Sequence, residues 1–285
     1  MAGVGAESTG MVSVLILTHN EEINLPDCLK SVAWSDDILV FDSFSSDRTV
    51  EIARSLGARV QQHAFENYGA QREAARNLGG FKHEWVLAVD ADERVDGELA
   101  DEVRAIAAGQ STHAAYRMRR KDFFQGRWIR HATLYPSWFV RFLRHRQVRY
   151  DPREVHEYPT VDGTVGELKG HLLHHSFNKG LDEWWTKHRA YSGAEARAEL
   201  AALRRGGLDL VGLFDWRDPV RHRQALKALS FRMPARPVLR FLYMYVLRCG
   251  LLDGGPGYRY CRMLAEYERL IVRNLRNLKS VEAEP

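Results

Sequence analysis

Residues 81–95 read FKHEWVLAVDADERV, and the other motifs of the chain are arranged around this stretch. Trp85 to Val89 is a short apolar run, typical of a strand that is buried on both faces of a sheet. It leads directly into Asp90, Ala91, Asp92 and Glu93. Neighbouring carboxylates repel one another unless a cation lies between them, and ligand sites in open α/β sheets lie at the carboxyl ends of strands. The stretch therefore indicates a site for Mg²⁺ or Mn²⁺. The alternative is a solvated turn that caps the next helix.

Two earlier strands also end in polar clusters. Val12 to Leu17 runs into THNEE at residues 18–22, and Ile38 to Phe41 runs into DSFSSDRT at residues 42–49. Helical patterns follow each cluster, and a third strand begins near Arg59. This alternation predicts an α/β fold with a doubly wound, mainly parallel, Rossmann-like sheet. All three polar clusters should then meet at one edge of that sheet.

Composition places the chain among ordinary globular proteins. Its 285 residues are 45% hydrophobic and 27% charged, which suits one large α/β domain or such a domain with a helical annex. The amino-terminal residues lack a basic segment before the first apolar run, so we expect no secretory signal. The stretch Phe241 to Leu247 is too short to span a bilayer. Cys28, Cys249 and Cys261 lack metal-ligand spacing and are expected to be ordinary thiols in a reducing cytoplasm.

Charge is distributed unevenly along the chain. Residues 1–110 contain 19 Asp or Glu against 9 Lys or Arg, whereas residues 113–153 contain 11 Lys or Arg against 2 Asp. Residues 217–248 contain 8 Lys or Arg and a single Asp. The acidic part fits a cation site, and the basic parts fit anionic partners. Interleaved arginines and aromatic residues also occur in proteins that bind single-stranded nucleic acid, but no nucleic-acid-binding motif accompanies them, so no nucleic acid partner is expected.

The combination of motifs resembles a known enzyme family. THNEE, DSFSSDRT, GAQR at 69–72 and WVLAVDADE at 85–93 are followed by VHE at 155–157 and LLHHSFNKGLDEWW at 172–185. This order resembles the family 2 glycosyltransferases with the GT-A nucleotide-sugar-binding fold. Within that family the chain is most similar to bacterial enzymes of lipopolysaccharide core biosynthesis. The resemblance covers roughly residues 11–260, and the combination is specific although each motif alone is weak.

The resemblance implies a domain organisation and an activity. Residues 11–180 would form the GT-A catalytic domain, with a donor half at 11–110 and an acceptor half at 111–180, and residues 181–285 a helical carboxyl-terminal region. The activity implied is metal-dependent, inverting transfer of a sugar from a nucleotide-diphosphate sugar. The acceptor would be a saccharide, in particular a lipid-linked glycan of the lipopolysaccharide core type.

The resemblance also implies roles for individual residues. The donor would be bound by His19, Glu21, Asp42, Gln71, Arg72, Asp90 and Ala91, and the metal by Asp92 and His174. Ser43 stands where the family has a second aspartate, which leaves the nucleotide open. For His174 the alternative is a core histidine bonded to backbone.

Inverting transfer needs a base that takes the proton of the acceptor hydroxyl. Glu157 is the first candidate, Glu154 the second, and His156 a third group of the same motif. His131 and Arg141 are the expected acceptor contacts, because they lie in the basic, aromatic stretch that could stack sugar rings.

A basic segment in the carboxyl-terminal region predicts where the protein is located. Arg236 and Arg240 begin this basic, apolar segment, which predicts contact with the anionic inner face of the cytoplasmic membrane, although a helix packed on the protein is the alternative.

Two other functions fit parts of the sequence. One rival function is a haloacid-dehalogenase-type phosphatase, which also places D-x-D after an apolar strand. The other is a membrane-associated binding protein of the same fold without turnover.

Overall fold

The structure is a computed structural model that describes residues 12–151, 159–204, 207–215 and 217–283. Strands and helices alternate in the amino-terminal part. In order they are β1 (Val12–Thr18), α1 (Leu25–Ser31), β2 (Asp37–Asp42), α2 (Thr49–Ser55), β3 (Arg59–Gln62), α3 (Tyr68–Leu78), β4 (Trp85–Asp90), β5 (Glu93–Val95) and α4 (Gly97–Ala108). The predicted alternation is therefore present.

The chain then becomes richer in strands before it turns helical. The later strands are β6 (Ala115–Phe124), β7 (Arg127–Trp128), β8 (Ser137–Arg144), β9 (Val148–Arg149), β10 (Thr160–Val161) and β11 (Val165–His174). The later helices are α5 (Leu181–Arg204), α6 (Pro219–Ser230), α7 (Arg236–Leu242) and α8 (Gly254–Ala283). Single 3-10 turns cover His145–Gln147, Gly212–Phe214 and Gly250–Asp253, and a π-helical turn covers Tyr243–Leu247.

The main sheet is mixed, with a parallel half and a more antiparallel half. Its strand order is β3-β2-β1-β4-β8-β6-β11-β5. The strands from β3 to β4 are parallel, β8 runs antiparallel to both of its neighbours, and β6 and β11 are again parallel. The α/β class, the parallel strands of the amino-terminal part and the helical carboxyl-terminal extension predicted from the sequence are confirmed.

The parallel half is buried on both faces, as its continuous apolar strands require. Val14 and Ile16 of β1 pack on one face against Leu25 of α1. On the other face, Leu15 packs in a second cluster with Ala75 of α3. Alternate side chains of one strand thus enter separate cores, as expected for an interior strand of the sheet.

A glycine on β11 sets how closely α4 approaches that strand. A Cβ atom on Gly170 would lie 2.3 Å from the backbone nitrogen of Leu99, far inside contact distance. Any other residue here would push the first turn of α4 away from the sheet. The backbone of Lys169 and Gly170 also donates to the carboxylate of Glu102 on α4.

The chain divides into two compact units. Among the described residues, the first unit comprises those up to Phe123 together with Tyr135–Asn178, and the second comprises Phe124–Leu134 and those from Lys179 onward. The second unit has a helical core in which Ala196 and Leu200 of α5 pack with Ile271 and Leu275 of α8. No helix among the described residues combines the length and the apolar character needed to cross a membrane.

Polar contacts inside the second unit tie its segments together. The carboxylate of Asp253 accepts the backbone N–H groups of Arg130, His131 and Ala132. Arg236 pairs with both Glu199 and Glu268 and is largely buried. Its guanidinium therefore forms ion pairs in the interior of this unit.

The cysteines are all free thiols. Cys28 lies in the first unit and is fully buried, with its Sγ 3.7 Å from the carbonyl oxygen of Asp90. Burial raises the pKa of the Cys28 thiol far above its ordinary range. Cys261 is buried in the second unit, and Cys249 is exposed.

Candidate functional site

The register of the parallel strands brings the polar clusters to one edge of the sheet. Thr18, the last residue of β1, pairs with Asp42 at the end of β2. On the other side of β1, Leu17 pairs with Asp90 at the end of β4. The side chains that follow three strands therefore meet at a shared carboxyl edge, where α/β proteins place their ligand sites.

Asp90 is held between two arginines. Arg72 Nη2 lies 2.8 Å from Asp90 Oδ1, and Arg141 Nη2 lies 2.7 Å from Oδ2. Burial raises the pKa of Asp90, but the charges of Arg141 and Arg72 outweigh it and hold the pKa well below its usual range. Asp90 is thus a fixed anion that orients two guanidinium groups at the edge of the sheet.

Asp92 faces a histidine that is supported from behind by another carboxylate. His174 Nε2 lies 3.2 Å from Asp92 Oδ2, and His174 Nδ1 lies 2.6 Å from Asp122 Oδ1. Burial lowers the pKa of His174, but the carboxylates of Asp92 and Asp122 outweigh it and raise the pKa to about 9. The structure therefore brings together Asp92 and His174, the residues predicted to bind the metal, with an imidazolium between two carboxylates.

Glu93, the third acid of the motif, is an internal support. It is buried, and its Oε2 accepts the backbone N–H of Asp90 at 3.0 Å. Burial and the neighbouring charge of Asp90 raise the pKa of Glu93. This carboxyl group holds the turn in the shape that exposes Asp92, whose side chain is 29% exposed.

Asp42 organises the loop after β2. Its carboxylate accepts from Thr18 Oγ1 at 2.8 Å, from the backbone of Ser45 at 2.9 Å and from Gln62 Nε2 at 3.0 Å. The residue is fully buried. In this arrangement it supports the loop that begins with Ser43 at the sheet edge.

The other predicted donor residues join the loops after β1 and β2. His19 Nδ1 lies 2.9 Å from the carbonyl oxygen of Ser43, and Gln71 Nε2 donates to Ser43 Oγ at 3.0 Å. Glu21 accepts from Asn24 Nδ2 at 2.8 Å, and its backbone N–H donates to Thr49 Oγ1. Ser43, the departure from the family pattern, thus lies between two predicted donor contacts.

The other predicted residues lie outside the described residues, in the second unit, or buried in the turn after β4. Glu154, His156 and Glu157 lie outside the described residues. His131 belongs to the second unit, where its backbone N–H donates to Asp253. Ala91 is buried in the turn between Asp90 and Asp92.

Sequence reasoning missed Asp122 and Arg120, which complete the surroundings of His174. Arg120 Nε lies 3.0 Å from Asp122 Oδ1. A signal was present, because Asp122 is one of only 2 acidic residues in the basic stretch 113–153. Strand alternation from Arg120 would have put both side chains on one face.

Comparisons with known proteins identify the family of this chain. Residues 13–161 match the family model described as Glycosyl transferase family 2. An uncharacterized glycosyltransferase of Rickettsia typhi is 35% identical over 262 residues, covering 87% of this chain and 80% of the relative. The chain therefore belongs to glycosyl transferase family 2, and the GT-A-type α/β fold expected for that family is confirmed.

Further matches are more distant or shorter. The lipopolysaccharide core biosynthesis glycosyltransferase LpsC of Rhizobium meliloti is 26% identical over 200 residues, covering 68% of this chain and 73% of that protein. The match to an uncharacterized glycosyltransferase of Rickettsia bellii, 37% identical, covers 39% of this chain and 38% of the relative. A crystal structure of glucosyl-3-phosphoglycerate synthase from Mycobacterium tuberculosis with UDP matches at 19% identity and a TM-score of 0.32, over 45% of this chain and 51% of that chain.

Proposed function

We propose that the protein is an inverting glycosyltransferase that moves a sugar from a nucleotide-diphosphate sugar to a saccharide acceptor. The observation that carries this proposal is the edge of the sheet at β4, where Asp92 faces outward beside His174 while Asp90 holds two arginines. Such an edge offers a carboxylate for a cation and guanidinium groups for anionic oxygens. Membership of glycosyl transferase family 2 supports the reaction class.

The residues at this edge fit the metal that we propose, Mg²⁺ or Mn²⁺. Asp92 offers carboxylate oxygen and His174 offers imidazole nitrogen, and a site with nitrogen suits Mn²⁺ better than Mg²⁺. A histidine must be deprotonated to bind a metal, so His174 would release its proton as the metal binds. When bound, the metal would offset the negative charge on the departing diphosphate.

The acceptor hydroxyl needs a base in an inverting reaction, and we propose Glu157 for that role. Glu157→Gln keeps the size of the side chain and removes its basicity. Transfer should then fall roughly 10²–10⁴-fold while donor binding is retained. If Glu157→Gln stays near wild type and Glu154→Gln loses activity, the base is Glu154.

The acceptor that we propose is a lipid-linked glycan of the lipopolysaccharide core type, met at an anionic membrane surface. The similarity to LpsC supports the chemistry of the acceptor. Support for membrane contact comes from the second unit, where Val238, Leu242, Val246, Leu247 and Leu252 are all exposed. No acidic residue interrupts the sequence between Asp218 and Asp253. A basic, apolar surface of this kind suits the interface of an anionic leaflet.

The phosphatase alternative would make Asp90 a nucleophile, because the first aspartate of D-x-D has that role there. Two arginines occupy the Asp90 carboxylate in this structure. That pairing lowers the nucleophilicity of Asp90. It therefore argues against a covalent intermediate on Asp90 and favours direct transfer of the sugar from donor to acceptor. A binding protein of the same fold differs from an enzyme only in turnover, so product formation distinguishes them.

Calorimetry with nucleoside diphosphates tests the donor site directly. Asp92→Asn should abolish Mn²⁺-dependent binding while leaving the fold intact, because the side chain lies at a rim. Asp101→Asn is the matched control, since Asp101 is 76% exposed on α4. Unchanged Mn²⁺-dependent affinity in the Asp92 variant would overturn the assignment of this edge as the donor site.

A further inference from the structure

A second group of side chains that could bind a metal lies at the start of α4. Asp96 precedes this helix, Glu98 lies in its first turn, and His171 lies on the adjoining strand β11. One ligand atom from each of these residues lies within 4.8 Å of the others. All three residues belong to the first unit.

His171 carries the observation that points to a ligand. The residue is only 8% exposed, and its Nδ1 is buried without a hydrogen-bond partner among the described residues. That nitrogen lies 3.6 Å from Asp96 Oδ2, which is too long for a hydrogen bond. An unpaired buried nitrogen costs free energy unless a partner completes it.

The other ring nitrogen explains which way the imidazole is oriented. His171 Nε2 lies 3.2 Å from the hydroxyl of Tyr135, and the two rings are stacked. When Nε2 carries the proton and donates it to Tyr135, the lone pair of Nδ1 points toward the Asp96 carboxylate. A lone pair facing a carboxylate is repulsive without a cation between them. A histidine that binds a metal through one nitrogen and donates from the other has this same arrangement.

The backbone around Asp96 fixes its carboxylate. Asp96 Oδ1 accepts the N–H of Leu99 at 2.8 Å and that of His171 at 3.1 Å. Oδ2 is thereby directed toward the His171 ring. The close approach of Gly170 to Leu99 keeps the strand and the first turn of α4 at this spacing.

This cluster is separate from the edge of the sheet at Asp90 and Asp92, which we call the donor edge. His171 and His174 are three residues apart in a stretch of β11 whose register is continuous. Side chains at that separation point to opposite faces of a strand. His174 faces Asp92, so His171 faces the other side of the sheet.

We propose that Asp96, Glu98 and His171 bind a divalent transition-metal ion of the Zn²⁺ type, as a structural site distinct from the donor edge. One imidazole nitrogen and two carboxylates form a donor set that Zn²⁺ accepts, with water completing the coordination. The ion supplies the missing partner of His171 Nδ1 and offsets the two carboxylates. It links the first turn of α4 to β11 and stabilises the first unit.

The test is Zn²⁺ binding by chelator-treated protein, measured by calorimetry in the Asp92→Asn background so that the donor edge does not contribute. One equivalent of Zn²⁺ should bind and raise the unfolding temperature. Adding Glu98→Gln should weaken that binding about tenfold or more, since it removes an exposed ligand without disturbing the core. Adding Asp101→Asn, on the same helix but outside the cluster, should leave it unchanged.

Two results would overturn the site. One is the absence of stoichiometric Zn²⁺ binding in the Asp92→Asn protein. The other is a Zn²⁺ affinity in both the Glu98→Gln and the His171→Gln protein that equals the affinity of the Asp92→Asn parent, with circular dichroism confirming that both variants are folded. Neither result bears on nucleotide binding at Asp92, so the two assignments fail independently.

Discussion

The protonation of His174 depends on Asp122, a residue that the sequence motifs did not reveal. Because Asp122 accepts from the charged imidazole, Asp122→Asn should lower the pKa of His174 from its value of about 9. Because the pKa of His174 is higher in the folded protein than its ordinary value of 6.5, protonation of His174 stabilises the fold. This stabilisation is fully present below pH 6.5 and is lost as the pH rises through about 9. In metal-free Asp122→Asn protein that loss should occur at lower pH.

NMR titration of His174 in metal-free protein measures this shift, with Asp101→Asn as a control. An unchanged His174 pKa in Asp122→Asn protein would contradict the role given to Asp122. Urea unfolding at several pH values follows the same linkage independently.

Arg141 offers a second test, because it was expected to contact the acceptor and instead donates to both carboxylate oxygens of Asp90. Arg141→Lys removes the planar fork that reaches both oxygens of Asp90. If the fork serves the donor edge, affinity for a nucleoside diphosphate should fall about tenfold, or about 1.4 kcal/mol, with little change in acceptor KM. The opposite pattern, a raised acceptor KM with donor affinity unchanged, would assign Arg141 to the acceptor.

Asp37 connects the strands of the parallel half at the edge opposite the site. Its carboxylate accepts from Ser13 Oγ at 2.5 Å, from Arg59 Nη2 at 2.8 Å and from the backbone of Lys82 at 2.8 Å. These donors come from β1, from β3 and from the segment that leads into β4. One buried carboxylate thus links the beginnings of neighbouring strands.

Asp37→Asn should lower the free energy of unfolding by about 2–3 kcal/mol at neutral pH, since hydrogen bonds to a charged group are lost. Burial raises the pKa of Asp37, but its hydrogen bonds to Ser13 and Lys82 and its pairing with Arg59 outweigh it and lower the pKa. The stabilisation is therefore present above the unfolded pKa of about 3.9 and is lost as the pH falls through the lower folded pKa. The difference between wild type and variant should shrink in acid.

Urea unfolding at neutral and acidic pH measures that difference. Asp36→Asn is a matched control, because the neighbouring Asp36 side chain is 68% exposed. An Asp37 variant as stable as the Asp36 variant at neutral pH would show that the strand ends do not depend on this carboxylate.

Local patterns were sufficient to predict the parallel strands of the amino-terminal part and the edge where they end. The run from Trp85 to Val89 and the acids after it specify a buried strand and its exposed end without reference to distant residues. Pairings across the sheet could not be predicted in this way. Asp122 reaches His174 only because β6 pairs with β11, and Arg141 reaches Asp90 only because β8 lies beside β4. Such contacts depend on strand order, which apolar periodicity does not encode.

The uneven distribution of charge along the chain predicts the kind of surface that the protein binds. The basic, apolar surface of the second unit should bind anionic vesicles in a manner weakened by salt. Arg236 is paired with Glu199 and Glu268, so it is a poor site at which to test this. Leu247 is 75% exposed and is the better choice.

Leu247→Glu should reduce co-sedimentation with anionic vesicles at low salt, because it removes apolar area and adds a repelled charge. Arg240→Glu should have a similar but more salt-dependent effect. Leu56→Glu is the matched control, since Leu56 is 53% exposed in the first unit. Equal binding to anionic and neutral vesicles would remove the electrostatic mechanism and leave this surface as a packing or dimerisation face.

The placement of the cysteines allows the unfolding of each unit to be followed by the rate at which its thiol is labelled. A thiol-specific reagent should label exposed Cys249 at once, whereas Cys28 and Cys261 wait for the chain around them to open. Cys28 times the opening of the first unit, directly beneath the carboxylate turn, and Cys261 times that of the second. Equal labelling rates across a denaturant series would mean that both units open in one cooperative event. Unequal rates would mean that the two units open independently. A nucleotide that binds the first unit should then slow the labelling of Cys28 and not that of Cys261.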